Sequence, residues 1–194
     1  MGISTEDVKA LRDRTGVSIM QCKKALEEAD GDVEQAVVLL KKRAGAIAAK
    51  KSDRELASGA VETYIHNNEV GAMVQLSCET DFVAKNEEFV ALAREIAMQV
   101  AATNPPFISE ADITPEAKEA AMKVFTEEVK DRPEEMREKI LEGKMKSYFT
   151  DMVLLMQAHI KDADKNIGDM ISEATQKFGE RIEITRIARF SVRG

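Results

Sequence analysis

From Val70 to Cys78, apolar side chains occupy every second position, with Gly71, Met73, Gln75 and Ser77 between Val70, Ala72, Val74, Leu76 and Cys78. A period of two predicts a strand with one buried face. Behind Asn86 the period changes, and Phe89, Leu92, Ala93, Ile96, Ala97 and Val100 recur at helical spacing. Asn86 is a good N-cap, with Glu87 and Glu88 favourably placed in the first turn. Residues 80–86 are left as the corner between strand and helix, and that corner holds a bulky aromatic, Phe82, beside a carboxylate, Asp81.

The same two periods organise the rest of the chain. Gly59–His66 and Glu69–Glu79 flank Asn67-Asn68, a pair able to supply the positive φ angles of a two-residue hairpin turn. Ile182, Ile184, Ala188, Phe190 and Val192 share one parity across Arg186 and predict a third strand with those side chains on one face. Between the strands, Thr114-Pro115 is a cap followed by an N1 proline for a helix to about Lys130. Pro133-Glu134-Glu135 opens another, carrying Met136, Ile140, Leu141 and Met145, and acidic residues outnumber basic ones along this helical pair. A last helix over Ile167–Phe178 stops at Gly179, a residue suited to the C′ position.

Residues 1–43 read as three short helices, broken at Gly16 and Gly31 and restarted by the capping-box pairs Ser18 with Gln21 and Asp32 with Gln35. Val8, Leu11, Ile19, Met20, Leu26, Val33, Val37 and Leu40 make a miniature core, at the lower size limit for independent folding. The basic, Ala-rich segment 44–57 has helix formers in Ala46, Ala48 and Ala49, but Gly45, Ser52 and Asp53 give it little to bury, and it reads as a semi-rigid linker. The predicted chain is α+β: a three-helix module at 1–43, a linker at 44–57, and a core domain at 58–194 with a three-stranded antiparallel sheet packed with helices.

Net charge is −7 over 194 residues, which argues against a general nucleic-acid binder. Locally, Lys41, Lys42, Arg43, Lys50, Lys51 and Arg54 are interrupted only by Asp53 among acids. Such a run is a solvated helix face or an electrostatic guide toward an acidic partner or RNA. Cys22 and Cys78 belong to no C-x-x-C pair and read as small buried hydrophobes, reduced as in a cytoplasmic protein. No apolar stretch approaches the ~20 residues of a membrane span.

Enzyme chemistry finds no residues here. His66 and His159 stand apart from any nucleophile motif, no phosphate-binding glycine loop occurs, and no metal-ligand spacing is present. No cofactor is expected, and function is expected to reside in surfaces.

Two stretches carry a family resemblance. Thr80-Asp81-Phe82-Val83-Ala84-Lys85-Asn86 is similar to a signature of the elongation factor Ts family, the guanine-nucleotide exchange factors of elongation factor Tu. Leu11 to Leu26 resembles that family's amino-terminal module, which is similar to ubiquitin-associated domains, and Glu142-Gly143-Lys144-Met145-Lys146 extends the likeness. The resemblance implies that Thr80, Asp81, Phe82 and Val83 enter the GTPase, with Phe82 wedged between two of its helices near the Mg²⁺ site and Asp81 helping to disturb that site. It also implies a second grip by the amino-terminal module, with Arg12, Ile19, Met20 and Lys23 as candidates. Position 19, Ile here, is often Met in the family pattern.

The residues themselves leave alternatives open. Ile19 and Met20 serve equally as members of the small core, and Asp81 also suits the cap of the short turn before Asn86, a role that can coexist with the first. Longer family members hold two related hairpin-and-helix halves, whereas this chain has room for one, so a homodimer is expected to cover the exposed sheet. A bacterial, cytoplasmic protein fits this reading. The rival reading is a ribosome- or RNA-associated binding protein with a ubiquitin-associated-like module.

Overall fold

The computed structural model describes residues 3–130 and 133–193. Three helices come first: α1 (Thr5–Thr15), α2 (Ile19–Glu28) and α3 (Val33–Lys50). Their core is Val8, Leu11, Val17, Cys22, Ala25, Leu26, Ala36 and Leu40, with Val33 and Val37 partly buried against it. Ile19 and Met20 are not in that core. They follow the Ser18 cap on the outer side of α2 and stay exposed, because Cys22, Ala25 and Leu26 form its buried stripe.

The segment 44–57 differs from the expected linker. Helix α3 continues unbroken to Lys50, and Ala44 is buried on it. This half of the segment does have something to pack against, since α3 lies along α8 (Ile167–Phe178), with Lys41 Nζ 3.3 Å from Asp169 Oδ2. The sequence pattern missed this because the partner helix lies more than a hundred residues away.

The sheet is antiparallel with strand order β1 (Ser58–His66), β2 (Val70–Cys78), β5 (Glu183–Ser191). Asn67 and Asn68 take φ of 50° and 58°, as the two-residue turn requires, and the Glu69 N–H closes it on the His66 carbonyl at 2.9 Å. Corner helix α4 (Asp81–Ala84) leads into α5 (Glu87–Thr103), which lies across the inner sheet face. Val74, Leu76, Cys78, Val83, Phe89, Ile96, Ala97, Val100 and Ile184 share that core. The Phe89 ring meets Phe178 of α8 edge-on, with centroids 6.1 Å apart.

The third strand corrects the predicted parity. A register shift falls where Leu76 faces Ile184 and Gln75 faces Arg186, so β5 carries one extra residue, Thr185. Ile184 and then Ile187 therefore face the core, whereas Ala188, Phe190 and Val192 lie exposed. With Val61, Ile65 and Met73 also exposed, the outer sheet face is apolar. Inside, Arg189 donates from Nε to the Ala101 carbonyl at 3.0 Å, a cation near the carboxyl end of α5.

Helices α6 (Pro115–Val129) and α7 (Glu134–Met152) pair beside the sheet domain over Ile113, Ala121, Phe149 and Val153. A small ribbon, β3 (Ala158–His159) with β4 (Asp162–Asn166), follows. It is tied to α5 by a polar residue inside the core: buried Gln99 donates to Gln157 Oε1 and the Ala158 carbonyl and accepts from the Ile160 N–H at 2.9 Å. Every polar group of that side chain is thus used.

Candidate functional site

Strand β2 delivers the chain to the corner, and Thr80 stops it. In an extended conformation, Thr80 accepts at Oγ1 from the Val83 N–H at 3.4 Å and so caps α4. The cap is therefore Thr80, and the alternative role of Asp81 as the turn's cap is not taken up. Asp81 instead accepts from Lys85 Nζ at 2.7 Å, and that hydrogen bond holds its carboxyl below the usual carboxylate range. Both side chains are exposed, so an incoming partner competes with only a screened surface pair.

Neighbouring positions on a helix point about 100° apart. Val83 is buried in the sheet core, which turns Phe82 outward, and Phe82 is 82% exposed. A lone exposed apolar residue is ordinary; a large aromatic at the tip of a one-turn helix clamped on both sides is less so.

The clamp comes from the far end of the chain. Glu180 Oε2 accepts from the backbone N–H groups of Glu79 at 3.1 Å and Thr80 at 3.0 Å, and Oε1 accepts from the Thr80 hydroxyl at 2.6 Å. Beside it, Glu79 accepts from Arg54 Nη1 at 3.0 Å and from the Arg181 N–H at 2.6 Å. Behind the corner the Cys78 thiol donates to the Thr80 carbonyl at 3.2 Å, and burial pushes that thiol up. None of Glu180, Arg181 or Arg54 was among the candidates. The sequence signal was the helix stop at Gly179, whose φ of 72° turns the chain so that residue 180 leaves α8 toward the corner.

Burial works against charge on Glu79, but the Arg181 N–H and the Arg54 guanidinium outweigh it and hold the carboxyl below its ordinary range. A lowered folded-state pKa gives stability that is complete above the unfolded value of about 4.3 and lost as pH falls through the lowered value. A Glu79→Gln variant is therefore expected to be less stable than the parent at pH 7. The gap should close on acidification below about pH 4.3, as read from urea midpoints; a gap that widens there would contradict the sign.

At the amino-terminal module, Ile19 is 57% and Met20 70% exposed. Lys23 is exposed, with Nζ 3.9 Å from Glu27, and Arg12 is exposed on α1. Gln21 does not complete the capping box with Ser18; its side chain accepts instead from Gln176 at 3.1 Å. The end of α8 thus touches both candidate surfaces, Gln176 reaching the module and Glu180 the corner.

The basic run is mostly spent within the chain. Lys41 pairs with Asp169, Arg43 with Glu28 at 2.5 Å, Lys51 with the Gly179 carbonyl and Arg54 with Glu79. Among the described residues no helix is long and apolar enough to cross a membrane, and no cluster of three His, Cys, Asp or Glu side chains could hold a metal.

Residues 20–194 match the family model for elongation factor TS. Proteins named elongation factor Ts from Thermodesulfovibrio yellowstonii, Thermosipho melanesiensis and Leptospira biflexa are 45%, 46% and 46% identical to this chain. The alignments cover 99%, 98% and 100% of the chain and 97%, 98% and 100% of those relatives. Matched by that family model over residues 20–194 and by these relatives over nearly its whole length, the chain belongs to the elongation factor Ts family.

Proposed function

We propose that this protein is a guanine-nucleotide exchange factor that binds elongation factor Tu·GDP, disturbs its Mg²⁺ and phosphate site and so releases GDP, in the bacterial cytoplasm. The observation that carries this reading is Phe82, exposed at the tip of a stiffly held corner inside the family signature. The GTPase holds its nucleotide with backbone amides around the phosphates and with Mg²⁺. A ring driven between two helices beside that site tilts the loop that carries those amides. Asp81, drawn away from Lys85, brings a carboxylate against the metal's own ligands or accepts from the amides set free.

No covalent step is needed. Coupling is reciprocal: nucleotide must weaken the exchange factor by the same factor as the exchange factor weakens nucleotide. A shift of about 10⁴ corresponds to roughly 5.5 kcal/mol of preference for the nucleotide-free partner. Burial of the Phe82 ring against the nucleotide-free partner is of the right order to supply most of it, while the second grip on α2 holds the partner in both states. The deciding assay is release of fluorescent GDP from elongation factor Tu with and without this protein. No acceleration would end the reading, and an RNA gel shift in its place would support the rival one.

The same reading includes a homodimer. The occupant of the apolar outer sheet face is a second copy of this chain, because its exposed side chains, Val61, Ile65, Met73, Phe190 and Val192, run across all three strands and past the end of β5 with few charges among them. Light scattering at micromolar concentration is expected to give twice the 21.5 kDa chain mass. Phe190→Glu, at a position 78% exposed and outside the core, is expected to halve that mass without loss of helix content. A parent protein that runs as a monomer removes the dimer.

A further inference from the structure

Glu180 spends both of its oxygens on the corner that presents Phe82. Three hydrogen bonds converge on one carboxylate, from the Glu79 and Thr80 N–H groups and the Thr80 hydroxyl, all at 3.1 Å or less. These donors lie just ahead of α4, where β2 has ended and no strand partner remains for them. Without an acceptor there, the two amides would turn to water and the peptide planes at 79 and 80 would be free to rotate. The orientation of the four-residue helix depends on those planes, since it has only the Ala84 and Lys85 N–H bonds to the Thr80 and Asp81 carbonyls and the core contact of Val83 to resist their rotation.

We infer that Glu180 is a positioning residue for nucleotide release: it fixes the direction in which Phe82 leaves the corner. The inference rests on the exchange-factor reading above. Glu180 is half-buried and sits one residue past the C′ glycine of α8, and α8 is in turn joined to α3 through Lys41–Asp169 and to α2 through Gln176–Gln21. A wedge that swings freely must be ordered as it docks, and that ordering subtracts from what its burial can do to the partner. Held in place beforehand, the ring delivers its burial to the transition state for nucleotide loss.

Side-chain chemistry separates geometry from charge. In Glu180→Gln the amide oxygen can still accept from both N–H groups, and its NH₂ can donate to the Thr80 hydroxyl. In Glu180→Ala all three lose this acceptor and are left to water. The test uses the full chain with elongation factor Tu·fluorescent GDP, alongside native-state hydrogen exchange.

Glu180→Ala is expected to speed exchange of the amides of residues 79 and 80 by about tenfold or more and to slow stimulated GDP release by about tenfold, with circular dichroism unchanged. Glu180→Gln is expected to keep about half or more of the parent release rate. The pair Glu180→Ala with Phe82→Ala should be no slower than Phe82→Ala alone, because a missing ring has no direction to fix. A simple loss of stability would not produce that non-additivity.

A fully active Glu180→Ala, or losses that multiply in the pair, overturns the positioning role and leaves the wedge standing. A fully active Phe82→Ala overturns the wedge itself.

Discussion

Replacing Phe82 by Ala is expected to cut stimulated GDP release from elongation factor Tu by about a hundredfold while the melting temperature and circular dichroism stay those of the parent. The two halves of that expectation have separate causes. Phe82 is 82% exposed, so removal of its ring opens no cavity, and α4 keeps its cap at Thr80 and its core contact through Val83. In the complex the same ring would bury roughly 150 Å² or more, which at about 25 cal/mol per Å² is near 4 kcal/mol, most of which Ala forgoes. A hundredfold is about 2.7 kcal/mol, well inside that sum. Phe82→Leu keeps much of the apolar volume and should fall between parent and Ala. Unchanged release by a folded Phe82→Ala protein would defeat the wedge.

Such a site is legible in a sequence to the extent that it is local. The strand at 70–78, the Asn86 cap, the Asn67-Asn68 turn and the Gly179 stop are each dictated within about five residues, and each stands in the structure where the pattern predicts it. The corner was visible for the same reason, because a period of two meeting a period of 3.6 leaves residues that belong to neither.

What escaped the pattern depends on partners distant in the chain. Arg54 looked like one more solvated cation, yet it lies against Glu79, 25 positions on. Lys41 and Arg43 belonged to the same apparent basic face and are paired with Asp169 and Glu28. A composition argument counts these charges but cannot see that they are neutralised in pairs. Alternation carried unbroken across Arg186 puts Phe190 and Val192 on one face with Ile182 and Ile184, but a single extra residue at Thr185 reverses every position after it. That reversal leaves Ile182 and Ile184 in the core and puts Phe190 and Val192 on an exposed apolar face.

Glu180 is the clearest case of the non-local kind. In Phe178-Gly179-Glu180-Arg181 the glycine marks where the helix stops but not what the carboxylate serves, since the amides it satisfies lie a hundred residues earlier. Backbone donors have no sequence signature. They become visible only when the strand that leaves them unpaired has been placed beside the turn that serves them.

The double variant Ile19→Ala with Met20→Ala is expected to weaken binding to elongation factor Tu by about thirtyfold, with little loss of stability. Ile19 and Met20 are 57% and 70% exposed at the start of α2, and the module's core of Leu11, Cys22, Ala25 and Leu26 closes without them. Two apolar side chains of this size, each giving about 1 kcal/mol on docking, make the thirtyfold. The effect should differ in kind from that of Phe82. A grip that holds the partner equally before and during nucleotide loss raises the concentration needed for half-maximal release and leaves the maximal rate alone. Loss of the wedge should lower the maximal rate itself. Because Gln21 joins this same helix to Gln176 at the end of α8, the module is held near the corner, and the two proposed grips would meet one partner at a fixed span. If the double variant lowers the maximal rate and spares the concentration dependence, α2 belongs with the wedge and the division of labour drawn here is wrong.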